Sequence, residues 1–103
     1  PSLLPEVRKV YDRFQMPSYF TRGNHDRVSE GDFMRIMRQP SNYSFIEKED
    51  FGVLLLDCSN EKGEYLCADL EFAGLILEEY AKLPHVFVFV HISQNDWTRH
   101  GVD

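Results

Sequence analysis

Four consecutive residues, Gly23-Asn24-His25-Asp26, carry the densest chemical potential in the chain. An asparagine side chain offers an amide oxygen able to ligate a divalent cation, a histidine can be a ligand or a proton donor, and an aspartate can orient an imidazole. Gly23 admits backbone conformations closed to other residues. The same residue types are common turn formers, so without context the tetrapeptide also reads as an ordinary polar turn. The context is chemical: a β-branched and aromatic stretch at residues 18–22 leads into the tetrapeptide, and His91 follows the apolar run at residues 86–90. Asp57 stands at the exit of another apolar run, residues 53–56, either as a neighbour of the site or as a strand-end carboxylate capping backbone amides. Arg22 and Arg27 flank the loop, as attractors of phosphate or as surface charges. His85 precedes His91 by six residues on the same apolar run, hence about 20 Å away at roughly 3.3 Å per residue, too far to share one ion.

These groups need elements to position them. Leu3, Leu4, Val7, Val10, Tyr11 and Phe14 recur at helical spacing, so residues 3–15 are predicted as an amphipathic helix, with Ser2 as a cap and Pro5 in the first turn. Residues 18–22 have the composition of a strand. Ser29 followed by Asp32 starts a short helix that stops before Pro40 and covers the core with Phe33, Ile36 and Met37. Residues 43–46 and 51–56 flank a polar turn and predict an antiparallel hairpin whose second strand is buried on both faces. A helix over residues 69–83 turns Leu70, Ala73, Leu77, Tyr80 and Ala81 inward, and residues 86–90 read as a central strand. The order predicts an α/β class, a mixed β-sheet sandwich flanked by helices. In open α/β sheets ligands gather beyond the carboxyl ends of strands, which here would bring Asn24, His25, Asp57 and His91 to one edge from three strands.

With these residues in place, the chain resembles the calcineurin-like metallophosphoesterase superfamily. Its core motif, Gly-Asn-His-Asp or Gly-Asn-His-Glu after a strand, matches Gly23 to Asp26. The likeness continues in order through Val53-Leu-Leu-Leu-Asp57, the helix around Leu70 to Glu79, and Val86-Phe-Val-Phe-Val-His91. The resemblance implies a partial metallophosphoesterase (αββα-like) fold and a metal-dependent phosphoester hydrolase acting on a phosphomonoester or phosphodiester through metal-activated hydroxide. It implies Asn24 and His91 as ligands of one metal of a two-metal site. It also implies His25 as the group that protonates the leaving oxygen, with Asp26 holding its ring. Two divalent cations, manganese, iron or zinc, and a phosphorylated substrate go with it.

Other family motifs are missing: an early Asp-x-His, then Gly-Asp-x-x-Asp, and a final Gly-His-x-His. Gly31-Asp32 begins like the second, but Arg35 stands where its last Asp belongs, and His100-Gly101 has the wrong order for the third, so His100 reads as a loop histidine. Asn24 and His91 are two donors, whereas catalytic zinc keeps at least three protein ligands. The 103 residues are therefore expected to be a single unit, the central fragment of a larger metallophosphoesterase domain, catalytically incomplete alone. The alternative is a non-catalytic interaction module that kept the fold and lost parts of the site.

Composition narrows the partners. Eleven Lys+Arg against seventeen Asp+Glu give a formal charge of −6, which argues against nonspecific nucleic-acid binding. No apolar run approaches the roughly 18 to 20 residues that span a bilayer. Cys58 and Cys67, nine residues apart, match no zinc-knuckle spacing and read as two reduced thiols, which leaves the cytoplasm as the default location. Trp97 reads as packing over a strand edge, and Asp96 carries no signal.

Overall fold

Leu4 and Val7 supply the inward stripe of the first helix, α1 (Leu4–Tyr11), with Pro5 tolerated in its opening turn, in a computed structural model that describes residues 3–92. The proposed Ser2 cap lies outside the described residues, as do Asp96, Trp97 and His100. The helix is shorter than its apolar spacing predicts. The Asp12 N–H still reaches the Arg8 carbonyl at 2.9 Å, and beyond it the backbone bonds are i→i−3, from Arg13 to Val10 and from Phe14 to Tyr11. Pro17 disfavours helical geometry at the residue before it, so the last predicted turn loosens. The second helix, α2 (Glu30–Met37), begins where expected: Ser29 caps it by accepting a hydrogen bond from the Asp32 N–H at 3.1 Å. Phe33 and Met37, four residues apart, are buried with Leu4 and Val28 in a cluster that joins α1 to α2.

The hairpin pairs β1 (Tyr43–Glu47) with β2 (Phe51–Leu56) in antiparallel register, Tyr43 opposite Leu55 and Glu47 opposite Phe51. Residues 52–56 are all buried, as a continuously apolar strand requires. The third helix, α3 (Leu70–Tyr80), starts at Asp69, whose carboxylate accepts from the Phe72 N–H at 3.0 Å, and connects β2 to β3 (His85–Val90). β3 lies parallel to β2, with Leu56 opposite Val90, and the sheet order is β1-β2-β3.

Three expectations change here. Among the described residues the run at residues 86–90 forms an edge strand, not a central one, and Phe87 and Phe89 are 49% and 54% exposed. Apolar composition encodes a preference for burial, but a central place also needs a neighbour on each side, which composition does not specify. On α3, Ala73 and Tyr80 are buried while Leu70 and Leu77 are exposed. The helix sits so that Phe72, Ile76 and Ala73 meet Leu54 and Leu56. Residues 18–22 form no strand: the Phe20 N–H donates to Gln39 Oε1 at 3.0 Å and Gln39 Nε2 donates back to the Phe20 carbonyl. The Gln39 amide thus occupies both backbone groups that a neighbouring strand would have paired. Among the described residues, no helix is long and apolar enough to cross a membrane.

Candidate functional site

β2 and β3 run parallel and end in register, so the residues that follow them, Asp57 and His91, leave the same edge of the sheet side by side. The loop from Arg22 to Val28 comes to this edge from a segment tied down by side chains. Besides the Gln39 pairing, Thr21 Oγ1 donates to the Ser41 carbonyl at 2.9 Å. Strand-exit placement therefore holds for Asp57 and His91, and Asn24 and His25 arrive on a non-strand support.

The geometry brings Asn24 and His91 together. His91 Nε2 lies 2.9 Å from Asn24 Oδ1. An amide oxygen can only accept, so in this contact the imidazole Nε2 is the hydrogen-bond donor. The same separation suits two adjacent ligands of a hard cation, which stand about 3 Å apart when each lies roughly 2.1 Å from the ion at a right angle. The two donors thus fit a cation, but among the described residues no group of three or more His, Cys, Asp or Glu side chains joins to hold one.

Gly23 leaves tight space beside His91 and does not adopt an unusual backbone. Its φ is not in the left-handed region, contrary to the conformational freedom expected of it. A Cβ at this position would sit 3.1 Å from His91 Nε2 and 3.4 Å from Asp26 Oδ2, so a side chain would push against the imidazole. The Asp26 carboxylate accepts from the Gly23 N–H at 2.7 Å, and the Asp26 N–H donates to the Gly23 carbonyl at 3.1 Å. Asp26 therefore closes the loop on itself, where the resemblance gave it the His25 ring to hold. His25 is exposed beside this closed turn.

Arg22 and Asp57 take roles that the residue pattern did not reveal. Arg22, only 3% exposed, donates from Nη2 to Asp57 Oδ2 at 2.7 Å, from Nε to Asp57 Oδ1 at 3.3 Å, and from Nη1 to the Val28 carbonyl at 2.8 Å. Asp57 also accepts from Ser41 Oγ at 2.8 Å and from the Ser59 N–H at 3.2 Å, and its own N–H donates to Asn42 Oδ1. Arg22 is thus neither a phosphate attractor nor a surface charge, and Asp57 is a counter-ion as well as a cap. No spacing rule encodes a pair separated by 35 positions; the available signal was a carboxylate at the end of a buried strand, which calls for a cation. Arg27 remains exposed.

Gly63 is a second residue the pattern missed. It has φ +81°, and a Cβ there would lie 2.4 Å from the Asn24 carbonyl oxygen. The turn Asn60-Glu61-Lys62-Gly63, closed by the Gly63 N–H on the Asn60 carbonyl at 3.0 Å, therefore backs directly onto the Asn24 peptide. A residue with a side chain would be strained by its backbone and blocked by its neighbour. Asp32, in the Gly31-Asp32 pair that imitates a family motif, spends its N–H on the Ser29 cap and its carboxylate on Arg35. Comparison with protein-family models, with curated proteins and with solved structures finds no significant match to this chain.

Proposed function

We propose that this chain contributes part of the active site of a metal-dependent phosphoester hydrolase of the calcineurin-like metallophosphoesterase type. The observation that carries the reading is the contact between Asn24 Oδ1 and His91 Nε2, two donors 67 positions apart that meet beyond the ends of parallel strands. Asn24 and His91 would hold one divalent cation. At such a site divalent cations neutralise phosphoryl oxygens and activate water. His25, exposed and adjacent to the ligand Asn24, is the proton donor to the leaving oxygen. Asp26 keeps the loop closed through the Gly23 amide, so that His25 and Asn24 are presented on a fixed turn. Two protein donors make a weak site, and the 103-residue chain alone is expected to turn over phosphoesters poorly.

A titration of the isotope-labelled chain with Mn²⁺ tests this. Paramagnetic broadening is expected first at Asn24 and His91, and His91→Ala or Asn24→Ala should abolish it there. Broadening that begins at the exposed carboxylates of α3 and ignores both substitutions would remove the proposal. A second reading, a non-catalytic interaction module of the same fold, is favoured by one observation: among the described residues no three His, Cys, Asp or Glu side chains come together as a metal-binding group.

A further inference from the structure

We propose that the buried Arg22–Asp57 ion pair is a positioning device that sets the contact between Asn24 and His91. This inference rests on the reading of those two residues as a ligand pair. Asp57 and His91 are fixed relative to each other, because each directly follows a residue of the registered pair Leu56 and Val90. Asn24 has no such tie, since its segment is not part of the sheet. Arg22 provides it. One edge of the guanidinium, Nε and Nη2, grips the Asp57 carboxylate at the exit of β2, and Nη1 reaches the Val28 carbonyl at the far end of the same loop. Nη2 also donates to the Ser59 carbonyl, just beyond Asp57. A single side chain therefore fixes both ends of the loop that carries Asn24 to the strand whose neighbour carries His91.

The chemistry suits positioning better than simple cohesion. A buried ion pair can often be replaced by apolar residues of similar volume without loss of stability, so stability alone does not call for this one. What an apolar pair cannot reproduce is direction. The guanidinium is a planar fork with several donors at fixed angles, used here on a carboxylate and two separate carbonyls. Ser41 and the Ser59 amide hold the carboxylate in turn, which fixes the fork's partner as well. Groups that orient a metal ligand from behind typically change metal affinity 10–100-fold when removed.

The test is the double variant Arg22→Met with Asp57→Leu in the 103-residue chain, examined by ¹⁵N NMR of the His91 imidazole and by Mn²⁺ titration. The wild-type ring is expected to show one tautomer, protonated at Nε2. The double variant should keep dispersed amide resonances, lose that single-tautomer signature, and bind Mn²⁺ at least about tenfold more weakly. A folded double variant with an unchanged His91 ring and unchanged Mn²⁺ affinity would overturn the inference while leaving the ligand pair intact. If the wild type shows no Mn²⁺ effect at Asn24 or His91 but the tautomer signature still disappears in the variant, the ligand reading fails and the positioning role stands. Should the double variant not fold, Arg22→Lys decides. It keeps the charge and loses the fork, so the His91 signature must change for the inference to survive.

Discussion

Cys58 and Cys67 occupy opposite environments. Cys58 is fully buried in the cluster between β2 and α3, and burial, reinforced by the neighbouring Asp57 charge and by Cys67, pushes its thiol up to about 11. Cys67 is exposed. Because the thiolate is the reactive species, an alkylating reagent at neutral pH should modify Cys67 alone, and Cys58 should become reactive only in denaturant. Mass spectrometry after brief iodoacetamide treatment counts the adducts, and two adducts on the folded chain would contradict the packing of Cys58. At this scale the sequence exposed the candidates and left the couplings hidden. Asn24 and His91 were legible because each follows an apolar run or a strand-like segment and has the right donor. Arg22, Asp57 and Gly63 were not, because their roles depend on which distant atoms they meet. Gly23 shows the difference well: its identity was read as backbone freedom, and in the structure it leaves room beside the His91 ring.

The elements that local rules specify are the ones the sequence disclosed. Ser29 and Asp69 cap helices within three residues of their partners, and the β1–β2 hairpin follows from a polar turn leading into a continuously apolar strand. The fate of residues 18–22 turned on Gln39, a side chain far along the chain that fills the place of a strand. Two predictions belong here. Gly52 lies beneath the Tyr80 ring, and a Cβ there would fall 2.4 Å from Tyr80 Cδ2. Removing glycine from a strand interior ordinarily gains about 0.5–1 kcal/mol, but overpacking a rigid buried contact costs about 1–3 kcal/mol. The second effect is the larger, so Gly52→Ala should lower the urea midpoint with the m-value unchanged. Asp12, after α1, is the other case. A hydrogen bond from Arg8, opposed by desolvation and supported by contact with Arg38 on the C-terminal side of α2, holds its carboxyl below the usual carboxylate range. A lowered folded value stabilises the folded state above the ordinary carboxylate pKa, and the benefit is lost as pH falls through the folded value. Asp12→Asn should therefore destabilise the chain at neutral pH, and the gap from wild type should close on acidification. A gap that widens toward acid would show that the carboxylate does not join the two helices.

At the scale of the whole molecule the layers are uneven. α3 covers one face of the sheet at β2, and Tyr19 stacks on Phe45 at 4.1 Å on the opposite face at β1. Register places Phe87 and Phe89 on the same face as Val53 and Leu55, and Val88 on the α3 side with Leu54. β3 thus presents apolar side chains on both faces, beside a groove of about 430 Å³ lined by Leu54, Leu56, Leu70, Ala73, Leu77 and Val88. A parallel strand of this composition is ordinarily buried on both sides, and contiguous apolar surface of this kind binds amphipathic dyes. The folded chain is expected to enhance 1-anilinonaphthalene-8-sulfonate fluorescence while retaining near-UV circular dichroism from its packed aromatic residues, which separates surface binding from a loosened core. Two variants divide the signal: Phe87→Lys with Phe89→Lys removes one face, and Leu77→Lys removes the groove. These side chains are about half exposed and Phe87 meets Phe51 edge to face at 5.7 Å, so each variant should lose on the order of 1–2 kcal/mol and still fold. If instead the lysine variants unfold, the exposed strand is held by contacts on those faces, and the edge position of β3 is wrong. If they fold and the dye signal is undiminished, the apolar surface lies elsewhere. A decline additive across the two variants is the result that places it on both sides of β3.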